Sequence, residues 1–162
     1  GRLPEVLAET AQLLGSLFLI LVLAVSLNKF LTFEQIPQAL VTSLSGAIHD
    51  QTTFLIGVNL LLLLAGAFMD ALSAILVLAP LLVPLATHYG VNVIHFGVIM
   101  IVNLEIGYLT PPVGVNLFVG SSVFREPIGT VIRSVIPLIG VLLLGLAVVT
   151  FWPDLALFLV RK

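Results

Sequence analysis

Residues 103–116, NLEIGYLTPPVGVN, concentrate most of the chemistry available in an otherwise apolar stretch running from 96 to 124. Pro111 and Pro112 have no amide hydrogen, and a proline drives the residue before it out of the α region. A helix starting near 96 is therefore predicted to stop near Tyr108 or Leu109. Thr110 suits an N-cap and Pro111 the first position of a new helix, leaving amides from Val113 onward without partners. The incoming helix would end in bare carbonyls, suited to a cation. The outgoing helix would begin in bare amides, suited to a carboxylate. Asn103, Gly107, Thr110 and Gly114 recur at helical spacing and share one face, with Asn116 and Ser121 extending a polar thread beyond the break. No Lys or Arg lies between residues 30 and 124. An anion would thus be held by helix ends, hydroxyls and co-bound cations rather than by a salt bridge. The simpler alternatives are a proline kink serving packing and glycines serving helix contact.

Asp70 and Glu105 are the two acidic residues set well inside apolar stretches, and carboxylates so placed are costly enough to suggest function. Asp70 has two readings: cation ligand, or cap of a following helix through the amides of Leu72 or Ser73. Glu105 lies about 200° around a helix from Asn103, hence off the polar face. It is left to protonation, to contact with another helix, or to proton coupling. His88 and His95 bracket a loop without carboxylate or cysteine partners at metal-ligand spacing, so they and His49 are predicted to be interfacial loop residues.

The elements that must position these groups follow from hydropathy. The chain has 162 residues, of which 60% are hydrophobic and 9% charged, too few charges for the surface of a soluble domain of this size. Lipid is the solvent implied for much of it. The net charge of −2 offers no basic face for nucleic acid, and the absence of cysteine excludes disulfides and thiolate metal sites. The start, GRLPEVLAET, has no signal-peptide pattern and reads as a loop entering a helix, as in the C-terminal part of a larger protein.

Residues 6–28 are predicted to form a span, and 36–48 a short amphipathic helix at the interface. The run 54–87 is too long for one span and short for two. Its halves, 54–68 and 72–86, would each be about 22 Å of helix. The intervening GAFMDALS is too apolar for a turn in water, which predicts a re-entrant hairpin whose tip is buried in protein. The alternative is two short tilted spans with an ordinary turn. Residues 88–95 form a loop, 96–124 the broken helix, 125–130 a charged turn and 131–152 a last span containing Pro137. The segments are thus 1–52 (scaffold and connecting helices), 53–87 (hairpin, tip near 66–73), 88–130 (discontinuous helix, break near 109–114) and 131–162 (terminal span and tail). The fold class is all-α integral membrane. Arg2, Arg125 and Arg133 on one side balance Lys29, Arg161 and Lys162 on the other, so the positive-inside rule assigns no orientation.

GAFMDALSAILVLAPLLVP followed by HFGVIMIVNLEIGYLTPPVGVNLFV resembles the C-terminal part of the large membrane subunit of TRAP (tripartite ATP-independent periplasmic) transporters. The likeness is strongest over 57–120 and rests on two anchors, the G-x-F-M-D tip and the N-L-x-I-G-x-x-T-P-P-V-G break. It implies an elevator-type secondary transporter of the bacterial inner membrane, built as inverted repeats. Each repeat would supply a re-entrant hairpin and a broken helix, with the transported anion and sodium between them. On that resemblance Gly66, Met69, Asp70 and Ser73 belong to the hairpin tip. Asn103, Gly107, Thr110, Pro111, Pro112, Gly114 and Asn116 belong to the broken helix. Sodium, as coupling ion and with no other cofactor, would be held by backbone and hydroxyl oxygens near Gly66, Met69, Gly107 and Thr110. The implied partners are the N-terminal half of the same subunit, a small membrane subunit, a periplasmic substrate-binding protein, a small organic anion and the lipid bilayer.

The family's first repeat has no counterpart in these residues, so the chain is expected to supply half of the site and not to transport alone. No nucleophile–base pair or metal cluster suggests an enzyme. The competing readings are a proton-coupled or stand-alone anion carrier of the same superfamily, with Glu105 carrying the proton, and a membrane scaffold that transports nothing.

Overall fold

A computed structural model describes residues 3–44, 48–111, 114–158 and 160, and all the regular structure among them is helical. The elements are α1 (Leu3–Phe33), α2 (Ile36–Leu44), α3 (Gln51–Phe68), α4 (Ala71–His88), α5 (Val93–Gly107), α6 (Val115–Phe124), α7 (Ile128–Phe151) and α8 (Pro153–Leu157).

Short polar residues set several helix starts. Asp50 begins α3 by accepting the Thr53 amide at 3.0 Å and the Thr53 hydroxyl at 2.6 Å. Asn92 begins α5 through its bond from the Ile94 amide at 2.9 Å. Each side-chain oxygen satisfies an amide that the helix itself leaves unpaired. The turn from α1 to α2 puts Gln35 at φ 52°, and α6 ends on Arg125 at φ 56°. Pro80 and Pro84 lie inside α4, where each removes one backbone donor without ending the helix.

The packing core lies where α3, α4 and α5 meet. Phe54, Leu62, Phe96, Ile99 and Leu104 are fully buried there. The Phe54 ring stacks on Tyr89 with centroids 4.8 Å apart, and the Tyr89 hydroxyl donates to Ile48 O at 3.3 Å. The α3–α4 hairpin packs on α5, with α1 and α2 against α4 and with α7 and α8 against α5. By contrast, Val141, Leu144, Val148 and Phe151 line an exposed apolar face of α7 at helical spacing. Such a face calls for lipid or further protein as its solvent. The chain is accordingly a helical membrane protein: α3, α4 and α7 are each long and apolar enough to cross a bilayer.

Several boundaries differ from the sequence expectation. The first helix runs from 3 to 33 rather than 6 to 28, and the last span from 128 to 151. The hairpin arms have 18 residues each, about 27 Å instead of 22 Å. The Asp50 cap pulls the polar residues 51–53 into α3, and α4 continues through Thr87 and His88. His95, expected in a loop, is buried in the first turns of α5, and its Nε2 lies 2.8 Å from Val149 O. The carbonyl is the acceptor in that pair, so Nε2 carries the proton and ties α5 to α7. Arg2, Pro112, Val113, Arg161 and Lys162, all used in the sequence reading, lie outside the described residues.

Candidate ion and substrate site at the hairpin tip

The hairpin tip is two residues long. Met69 ends α3 in an extended conformation and its amide returns to Ala65 O at 2.8 Å. Asp70 then caps α4, its Oδ1 accepting the Ser73 amide at 2.9 Å. Of the two roles open to Asp70, the cap is the one seen. Two extended residues, the second of them the cap, join the helices without turn residues, so an apolar GAFMDALS can form a tight bend.

This tip rests on the end of α5. A Cβ built on Gly107 would lie 2.5 Å from the carbonyl carbon of Gly66 and 2.6 Å from its Cα. A Cβ on Gly66 would lie 2.9 Å from Leu104 O. Side chains are excluded from both positions, and backbone meets backbone. Tyr108, the next residue, accepts a hydrogen bond from the Ala71 amide at the first position of α4. Tyr108 was not singled out from sequence, since nothing local distinguishes it from any aromatic near a helix end.

The break itself differs in detail from the sequence expectation. Thr110 does not cap α6, and Pro111 is not its first residue. After Gly107 the chain tightens into short turns, Leu109 N–H donating to Ile106 O at 3.0 Å and Thr110 N–H to Gly107 O at 2.9 Å. The Thr110 hydroxyl bonds back to Ile106 O at 2.9 Å. The carbonyls ending α5 are therefore partly satisfied rather than bare. With a proline next in sequence, these tightened turns and the hydroxyl are what remains to serve those carbonyls. The new helix waits until Gly114, whose φ of 44° is left-handed and which caps α6 without any side-chain bond. A Cβ there would press on Leu117 Cδ1 at 2.7 Å and on Thr110 O at 3.0 Å.

The predicted polar face divides. Asn103 and Gly107 both meet α3, but Asn103 is fully buried one turn before the contact. Its Nδ2 donates to Asn59 Oδ1 at 2.8 Å and to Ile99 O at 2.7 Å, while Asn59 Nδ2 donates to Leu55 O at 2.6 Å. Thr150 on α7 points its hydroxyl at the same Asn59 oxygen, 3.4 Å away. Asn103 thus joins α3 to α5, and its Oδ1 has no partner among the described residues. Asn116 is exposed on α6, and the Ser121 hydroxyl donates to Glu126 O at the far end of that helix; among the described residues neither is hydrogen-bonded to the tip. Glu105 is exposed on the opposite side of α5 from the α3 contact, as its helical angle requires.

The resulting geometry brings two helix C-termini together, those of α3 and α5, at Gly66 and Gly107. Past Met69, no amide among the described residues returns to the last carbonyls of α3. Both ends carry partial negative charge, and no cationic side chain from 30 to 124 is available to offset it. The donor set suited to a cation here is carbonyl and hydroxyl oxygen. Among the described residues no group of three His, Asp or Glu side chains gathers. Beyond the break, α6 runs for ten residues, about 15 Å, packed on α7.

Comparison with known proteins places these features in a family. A model described as "Tripartite ATP-independent periplasmic transporter, DctM component" matches residues 1–155. A C4-dicarboxylate TRAP transporter large permease protein DctM of Pseudomonas aeruginosa is 43% identical over 156 residues, which is 96% of this chain and 36% of that protein. The sialic acid TRAP transporter large permease protein SiaM of Vibrio cholerae is 37% identical over 155 residues, 96% of this chain and 36% of its own. The isethionate TRAP transporter permease protein DctMQ of Oleidesulfovibrio alaskensis is 37% identical over 158 residues, 98% of this chain and 25% of its own. The chain spans only a quarter to about a third of the length of these relatives.

Proposed function

The chain belongs to the DctM family, the large-permease component of tripartite ATP-independent periplasmic transporters, and from that premise we propose that it forms one half of a sodium-coupled site for an organic carboxylate. The observation that carries this reading is the meeting of the α3 and α5 C-termini at Gly66 and Gly107, in a stretch with no Lys or Arg from residue 30 to 124. The last α3 carbonyls, to which no described amide returns, attract a cation, and a bound cation offsets a substrate carboxylate.

The apolar character of the tip favours a re-entrant hairpin. The tip rests on the end of α5, beside the break between α5 and α6. Irregular backbone inside a membrane is tolerable when protein or a filled site surrounds it. Sodium would sit among oxygens near Gly66, Met69, Gly107 and Thr110. The loaded hairpin and broken helix would then cross the bacterial inner membrane as one elevator body.

The relatives' names mention C4-dicarboxylate, sialic acid and isethionate, which share an anionic group. The rest of the subunit, a small membrane subunit and a periplasmic binding protein would complete the system, with the binding protein setting most of the choice of substrate. The test is uptake by the complete reconstituted transporter with sodium present or replaced by choline. Uptake should require sodium, and Thr110→Ala and Gly114→Leu should abolish it while the subunits still assemble. Normal uptake in both variants contradicts the site assignment.

A further inference from the structure

Two consecutive residues at the end of α5 hold the two arms of the hairpin separately. Gly107 receives the end of α3 through its backbone contact with Gly66. Tyr108 receives the start of α4 by accepting the Ala71 amide on its hydroxyl. The first amides of a helix have no partner within the helix, so an acceptor supplied from 37 residues away does what a local cap does elsewhere. Asp70 serves Ser73 in the same turn and leaves Ala71 to Tyr108. Opening the hairpin at its tip would require both contacts to part.

We propose that Tyr108 is a positioning residue that fastens the hairpin tip to the helix break, so that the two edges of the site stay in register. This rests on the tip and break being a transport site, but the fastening is testable apart from it. Two substitutions remove the bond from opposite ends. Tyr108→Phe keeps the ring and deletes the acceptor. Ala71→Pro deletes the donor at the first helical position, where proline is favoured, and Asp70 already has the extended conformation (φ −70°, ψ 151°) that a following proline demands.

The experiment uses the complete transporter in a cysteine-free background; this chain contributes no cysteine of its own. Met69→Cys reports the tip through its rate of alkylation by a maleimide. Each substitution should speed alkylation about 5-fold, the size of one net hydrogen bond, and the double variant should be no faster than either single. With Met69 restored, uptake by either variant should show a half-saturation for substrate raised about 5-fold and a maximal rate within about twofold of the parent. That split is not what a general loss of folded protein gives, since lost protein lowers the maximal rate alone. Alkylation at the parental rate in Ala71→Pro, or single effects that multiply in the double variant, overturns the proposal. If uptake proves independent of sodium while alkylation responds as described, the coupling reading fails and the fastening stands.

Discussion

Gly107 and Gly66 touch through their backbones, so closely that a single added methyl at Gly107 would fall within 2.6 Å of two Gly66 atoms. The contact joins the end of α5 to the end of α3 and sets the distance between the break and the hairpin tip.

Gly107→Ala should therefore be costly. The obstructing atoms are backbone, which cannot rotate aside, and overpacking of this kind costs about 1–3 kcal/mol. Gly66→Ala should act in the same direction, since its Cβ would meet Leu104 O at 2.9 Å. Gly57→Ala and Gly97→Ala are the controls, with no atom within 4 Å of either added Cβ. They should be neutral or gain up to about 1 kcal/mol from helix propensity. Thermal unfolding of the four variants in the assembled transporter checks the contrast.

The Asn59–Asn103 pair should behave as a unit. Replacing Asn59 by Leu leaves the buried Asn103 amide with Ile99 O alone, and replacing Asn103 by Leu leaves the half-buried Asn59 oxygen with only the Thr150 hydroxyl at 3.4 Å, each at about 1–3 kcal/mol. Replacing both removes the stranded groups, and with them the unpartnered Asn103 Oδ1. The double variant should thus be less damaged than the sum of the singles, with a coupling of about 0.5–1.5 kcal/mol in a double-mutant cycle of unfolding. Additive effects would show that the 2.8 Å bond carries no net stability.

Asp50 makes the start of α3 sensitive to acid. The Thr53 hydroxyl and then the Thr53 amide bond to its carboxylate and hold it below the usual carboxylate range. A carboxyl lowered in the folded state stabilises fully above its unfolded value, near pH 4, and that contribution disappears as pH falls through the folded value. Asp50→Ala should lower the melting temperature at pH 6, and the difference from the parent should shrink steadily below about pH 4. Paired melting curves across that range provide the measurement.

Glu105 is exposed and faces away from the α3 contact. Glu105→Gln should leave sodium-dependent uptake within about twofold of the parent, since its side chain lies off the face where the helix ends meet. Loss of uptake that is restored by no sodium concentration, together with loss of dependence on a pH gradient, would move the coupling to protons.

How much was legible beforehand divides along the length scale of the cause. The membrane class follows from composition summed along the chain; the interruption after Tyr108, the capping role open to Asp70 and the outward position of Glu105 follow from effects reaching four residues or fewer. Proline lacks a donor wherever it sits, a short carboxylate finds the amide three residues ahead, and a helical angle is set by spacing alone. The same local reasoning misplaced the start of α6 and the role of Thr110, because several turn geometries satisfy a T-P-P sequence and the tightened end of α5 took the threonine hydroxyl. Tertiary structure decided the rest: Asn103 choosing Asn59, His95 choosing Val149, Tyr108 choosing Ala71 and Gly107 choosing Gly66. These partners are 37 to 54 residues apart. Which of many polar or small residues meets another at that separation depends on how α3, α4, α5 and α7 pack, and no residue carries that information by itself.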